Sequence, residues 1–448
     1  MIQKLERVLL FSIIFFLPVQ LGKHFWPAFS YVEGLRIDYL SPTLYFTDIL
    51  IGLLFIVWFF CHPEFISGSH KMLKRVQHDS LKKVFWEKWL LVVLVIFIIL
   101  GIVSSLSPLA GWYKFLKIVE FSFLGFYAAT KLKIKKDLPL ILVLLSIGVA
   151  FESILAIAQF IQKSSLGGPL WFLGERMFSG QTPGIANANI DGRLILRPYA
   201  TFSHPNVLAG YLVIAMTFLL FDFKKIFSGV ILVLGTIALL LTLSRVAIVL
   251  WAVIAVLWLT AYFKKKRVIG LLVVLVCIGS ILLTPLSSRF TSLVDSDRET
   301  ITRRQELNMA AVEMFKKSPV VGVGLNNFLV NLPEYQKPTS GPARNALHSN
   351  AGGPLWMQPA HNIYLLILAE TGIVGFVFFL WFLRKTYIMI KDKGLRIKKK
   401  NKKVSLIVYH SSFIIVLALG FFDHYLFTQQ QGQLLLALTA GLLWCQDS

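Results

Sequence analysis

Three residues near the ends of apolar runs carry groups that can do chemistry. Arg197 opens RPYATFSHPNVLAGYL, Arg245 sits in LLLTLSRVAIVLW with no acidic neighbour in sequence, and His361 starts HNIYLLILAETGIVGF. An arginine at the centre of a membrane helix costs about 2.5–3.5 kcal/mol, and less near the surface. A cation held there without a local carboxylate wants an anionic partner. Guanidinium suits phosphate because its planar fork donates two parallel hydrogen bonds. Histidine, with an unperturbed pKa of ~6.5, can accept a proton from a hydroxyl. Each residue also has a plainer reading: Arg245 snorkels to headgroups, Arg197 is an ordinary loop cation, and His361 is an interfacial ring. What favours the chemical reading is that all three fall on one membrane face, beside two long loops. A cleft there with two arginines would suit a lipid diphosphate.

The elements that must position them are apolar. Of the 448 residues, 56% are hydrophobic and only 15% charged, and the mean hydropathy is +0.70. A soluble domain carries ~25% charged residues, so this surplus of apolar surface must face lipid. Twelve stretches read as spans: 8–21, 42–60, 89–106, 112–130, 138–161, 205–221, 226–243, 246–263, 268–286, 362–383, 404–422 and 426–445. The expected fold is an all-α transmembrane bundle. Its organisation is residues 1–286 with nine spans, a large loop over 287–361, and 362–448 with three more. The formal net charge of +22 gathers in short loops, including KLKIKK, KKKR and the run from Arg384 to Lys403. This is the pattern of cytoplasmic retention rather than of nucleic-acid binding. The alternation puts both termini inside, and the segments 163–204 and 287–361 outside.

Loops longer than ~12–15 residues are usually functional or disordered. In TITRRQELNMAAVEMFKK, residues Leu307, Ala311 and Met314 share one helical face. That face either lies on the membrane surface or packs as a lid on the bundle. The stretch 337–359 is rich in Gly, Pro, Ser and Asn. The GVG of SPVVGVGLNNF reads as a tight turn, not a nucleotide loop. Cys61, Cys277 and Cys445 lack metal spacing and read as packing residues. No HExxH or GxSxG lies in an external loop, so neither a metal site nor a serine hydrolase is expected. Among the intramembrane acids Asp48, Glu120 and Glu152, Lys117 and Glu120 are spaced for an i,i+3 pair. Acids at such depth often mark ion pathways, which keeps a transporter open. Glu370 lies nine residues beyond His361, roughly 13 Å along a helix. That is too far to orient the ring, so Glu370 is expected to satisfy a cation or a backbone group inside the bundle.

Four pieces in order, RPYATFSHPNVLAGYL, LTLSRVAIVLW, RRQELNMAAVEMFKKSPVVGVGLNNF and HNIYLLILAETGIVGF, resemble the O-antigen ligase and polymerase group of bacterial membrane proteins. The resemblance covers about 197–376, and the hydropathy profile extends it over the chain. It implies about twelve helices in the inner membrane and a large periplasmic loop. It also implies inverting glycosyl transfer from an undecaprenyl-diphosphate donor to a hydroxyl acceptor on a glycolipid, glycan or protein, with no cofactor or metal. Carried over by position, Arg197 and Arg245, with Arg304 opening the loop helix, would bind the donor diphosphate. His361 would activate the acceptor or assist the leaving group. The stretch 337–359 reads as an insertion in this pattern. Ligase and polymerase stay undivided.

Overall fold

A computed structural model describes residues 2–61, 78–190, 193–222, 226–262, 298–335, 357–396 and 402–445. Helices α1 (Ile2–Phe15), α2 (Phe46–Cys61), α3 (His78–Val103), α4 (Pro108–Lys131) and α5 (Ile134–Gln162) come first. They are followed by α6 (Pro205–Leu219), α7 (Ile226–Leu241), α8 (Arg245–Tyr262), α9 (Arg298–Lys317) and α10 (Phe328–Tyr335). The chain ends with α11 (Ile363–Arg396), α12 (Lys402–Phe422), α13 (Tyr425–Thr428) and α14 (Gln430–Trp444). A helix stands at every expected span but the ninth, which lies outside the described residues. Among those residues, three helices are long and apolar enough to cross a membrane: Ile134–Gln162, Ile363–Lys393 and Ser405–Phe422. Shorter apolar helices accompany them, so the protein is a membrane helix bundle. The first helix differs from its expected bounds; it starts earlier and stops at Phe15, before Pro18. That proline lacks the N–H needed to continue a helix.

The all-α expectation needs one amendment. Two-stranded antiparallel ladders join β1 (Gly22–His24) to β4 (Thr43–Tyr45), β2 (Tyr31–Val32) to β3 (Leu35–Arg36), and β5 (Asn187–Ile190) to β6 (Arg193–Leu196). They occupy connections, where Gly34 takes φ 78° in the turn between β2 and β3.

Helix α6 organises the bundle. Every residue from Pro205 to Leu219, Asn206 apart, is buried, as expected of a helix that is apolar all round. Leu208, Leu212 and Ala215 join Val149, Ala238 and Ile415 in one core spanning the early and late helices. Apolar side chains such as Leu116, Ile154, Val230 and Val253 stay exposed on the outside, as a lipid-facing wall requires. Helices α4 and α14 approach closely at small residues: a Cβ on Gly441 would fall 2.6 Å from Ala128 Cβ.

At one end of the bundle Arg7 bonds Asp137 at 2.7 Å, beside the KLKIKK run. At the other end, α9 settles the choice left open for its apolar face. Leu307, Ala311 and Met314 are buried with Leu366 and Ala369 of α11, so α9 is packed on the bundle. The GVG turn follows it, with Gly322 and Gly324 at φ 72° and 99°. The stretch 337–359 lies outside the described residues except for Met357 to Pro359, and Cys277 lies outside them altogether.

Candidate functional site

The site is built from helix ends. His204 caps α6, its Nδ1 accepting from Asn206 N at 3.1 Å, and Pro205 follows at the first helical position, where its missing N–H costs nothing. The segment leading to this cap is held from α5. Gln159 Oε1 accepts from Tyr199 N at 3.0 Å and Ala200 N at 2.7 Å, and the Glu152 carboxylate accepts from Thr201 N and Oγ1. Ala200 sits at φ 50°, a conformation that costs about 1–3 kcal/mol and persists only where neighbours impose it. Glu152 therefore bonds the loop that carries the site.

Arg197 is buried. Its Nε donates to Thr242 O at 2.7 Å, and its Nη2 to Asn206 Oδ1 at 2.6 Å. Thr242 belongs to the turn between α7 and α8, where Leu243 takes φ 53° and Arg245 opens α8. Arg197 thus binds the turn from which the helix of Arg245 starts. From Asn206 the chain of contacts continues: its Nδ2 donates to Asp423 Oδ2 at 2.8 Å. Asp423 ends the turn after α12, and its Oδ1 accepts from His424 N at 2.8 Å. The His424 ring stands edge-on to His361, centroids 4.9 Å apart at 80°, and edge-on to Tyr39 at 5.4 Å. Asn362 caps α11 directly after His361, accepting from Tyr364 N and Leu365 N at 2.9 and 3.1 Å. The starts of α6, α8 and α11 therefore lie at one end of the bundle, each adding the partial positive charge of free N–H groups.

The electrostatics follow from burial. Burial lowers the pKa of His361, with the nearby Arg304 acting the same way against Asp423. Burial, together with the other cations, pulls His424 down to about 3, and burial with Arg197 does the same for His204. His204 and His424 are therefore neutral at neutral pH, and His361 is shifted in the same direction. Burial works to raise Asp423, but His424 and His361 in their protonated forms, with Arg304, outweigh it and hold the carboxyl below its ordinary value. The Asp423 carboxylate is acted on by Arg304 and linked through Asn206 to Arg197, so the site is on balance cationic. Arg304 lies in the second turn of α9, not at its opening, and its Nε makes no hydrogen bond among the described residues.

The remaining acids have structural partners. Lys117 pairs with Asp48 and, at 3.2 Å, with Glu120, confirming the expected i,i+3 pair; Gln430 joins them. Glu370 does satisfy backbone groups, accepting from Asn326 N at 2.9 Å and Phe328 N at 3.4 Å. Sequence reasoning missed Asp423, His424 and the role of Asn206. The signal was an Asp-His pair stranded between two apolar runs in FFDHYLF.

Among the described residues, His361, Asp423 and His424 form a group that could hold a metal ion, their ligand atoms lying within 4.8 Å of one another. What this arrangement offers without an ion is a neutral imidazole as proton acceptor, with cations for a leaving anion.

These features define a membrane helix bundle with a cationic, histidine-bearing site at one end. Residues 230–380 match the family model of O-antigen ligase, which supports the resemblance to the O-antigen ligase/polymerase superfamily over that part of the chain. The match spans Arg245, Arg304 and His361; Arg197, Asp423 and His424 lie outside it. No curated protein matches the chain. The match supports a function of the O-antigen ligase/polymerase type in general.

Proposed function

We propose that the protein transfers a glycan from an undecaprenyl-diphosphate donor to a hydroxyl acceptor at the periplasmic face of the inner membrane, as an O-antigen ligase. The observation that carries this reading is the contact chain Arg197–Asn206–Asp423–His424–His361, which joins the candidate anion-binding arginine to the candidate base. Arg197, Arg245 and Arg304 hold the diphosphate and stabilise the charge that develops on it as the glycosidic C–O bond breaks. His361 accepts the acceptor's proton, and attack opposite the leaving diphosphate inverts the anomeric centre. The lipid tail enters sideways from the bilayer, which accounts for a site at the membrane face. The same residues serve a polymerase equally well, with a growing glycan as acceptor. The transporter reading loses support because Asp48 and Glu120 share Lys117 as a partner and Glu152 is bonded to Thr201.

Replacing Arg304 by alanine leaves the buried core untouched and removes a guanidinium from the diphosphate. Transfer in reconstituted vesicles should fall roughly 10²–10³-fold, the usual cost of one electrostatic donor. Arg197→Ala should match or exceed that loss. Normal transfer by both variants would refute the site. A deletion strain divides the alternatives: lipid-linked polymer without attached glycan marks a ligase, and attached single repeat units mark a polymerase.

A further inference from the structure

Three side chains that can ligate a metal, His361, Asp423 and His424, converge on one small space. Thr428 Oγ1 lies 2.7 Å from His424 Nδ1 and engages that nitrogen in either tautomer. That leaves Nε2 as the ring atom free for a metal, 3.9 Å from Asp423 Oδ1. The other Asp423 oxygen is occupied by Asn206 Nδ2. His361 presents a third ligand atom to the same space, within 4.8 Å of both. Pro359's carbonyl favours a proton on the His361 ring, although Nδ1 makes no well-formed hydrogen bond among the described residues. Two imidazoles and one carboxylate, each with its other polar atom engaged by or near a neighbour, is how proteins prepare a transition-metal site: the outer contacts fix ring orientation and tautomer.

We propose that His361, Asp423 and His424 bind one borderline divalent ion of the Zn²⁺ class, and that the bound ion blocks transfer by occupying the lone pair with which His361 takes the acceptor's proton. The proposal rests on the reading of His361 as base for its second half only. Bond lengths of about 2.0–2.2 Å place zinc ligand atoms about 3.5 Å apart, so closing the set needs side-chain movements on the order of 1 Å. Arg304 on α9, and Arg197 acting through Asn206, oppose any cation. Weakly bound oxygen-seeking ions such as Mg²⁺ are therefore excluded, while ions with strong imidazole affinity are not. The ion would inhibit and not assist, because the same nitrogen cannot hold a metal and accept a proton.

The test uses the full-length protein in nanodiscs, stripped with EDTA and titrated with Co²⁺, whose visible d–d absorption reports imidazole ligation without any donor substrate. One Co²⁺ per chain is expected, displaced by Zn²⁺. His424→Ala and Asp423→Asn should abolish the signal. Asn206→Ala should weaken binding about 10–100-fold through the lost outer contact. His424→Cys should restore binding with a thiolate charge-transfer band, which separates ligand loss from misfolding. In the transfer assay, Zn²⁺ should inhibit the wild type, reversibly by EDTA. No stoichiometric Co²⁺ signal in the wild type, or undiminished binding in both His424→Ala and Asp423→Asn, would overturn the site. Full transfer with one Zn²⁺ bound per chain would overturn the block, and with it the role of His361, while leaving the ion site standing.

Discussion

His361→Ala is expected to cut glycosyl transfer by roughly 10²–10⁴-fold, the usual contribution of a positioned acid–base group, while the purified protein keeps its thermal midpoint. The ring is only partly buried and stands at the start of α11, next to the Asn362 cap that secures the helix. Removing it forfeits an edge contact with His424 but no core packing and no helix cap. The loss should therefore appear in turnover and not in folding. His361→Gln keeps a polar group at the position yet cannot accept a proton at neutral pH, so it should be nearly as inactive. Single-turnover transfer from a defined lipid-diphosphate donor, measured beside an unfolding curve, checks both halves. Turnover within a few-fold of wild type in both variants would remove His361 from the reaction.

How much of this was legible in the sequence depends on whether the signal was local. The spans were, because a run of apolar residues long enough to cross lipid has few other uses. Arg197, Arg245 and His361 were, because charges beside such runs stand out. Nothing local revealed that Arg197 reaches Arg245's turn through Thr242 O, or Asp423 through Asn206. Those contacts join residues up to 217 positions apart and depend on how α6, α7 and α12 pack. The choice between a lid and a surface helix for α9 was equally undetermined. An apolar stripe of Leu307, Ala311 and Met314 fits lipid or protein alike, and only Leu366 and Ala369 of α11 decide it. The short ladders in 22–45 went unseen because strands of two or three residues carry too little alternation to read. Yet that segment supplies Tyr39 to the His424 ring.

The second large effect is expected where α9 is latched to α11. Gly372 sits at φ 62° and ψ −166° in the middle of α11, and a Cβ there would lie 2.3 Å from Val320 O. Its counterpart Gly322, at φ 72°, would place a Cβ 2.4 Å from the Glu370 carbonyl carbon. Two backbones cross here with no room for side chains, and the crossing is bonded: Val323 N to Ala369 O at 2.9 Å, Gly324 N to Glu370 O at 3.1 Å, and Ile373 N to Pro319 O at 2.8 Å. Gly372→Val meets two penalties. The strained dihedral costs about 1–3 kcal/mol, and the overlap about 1–3 kcal/mol more. Since α9 ends at this crossing, opening it loosens the helix that carries Arg304 over the site. Gly372→Val should therefore lower both the thermal midpoint and transfer, unlike His361→Ala, which lowers transfer alone. Glu370→Gln provides the contrast. It weakens the carboxylate's bonds to Asn326 N and Phe328 N but leaves the crossing sterically intact, so its midpoint should fall less than that of Gly372→Val. A Gly372→Val protein with an unchanged midpoint would show that the crossing is not what holds α9 in place. An unchanged midpoint with lost transfer would shift the role of Gly372 from support to the reaction itself.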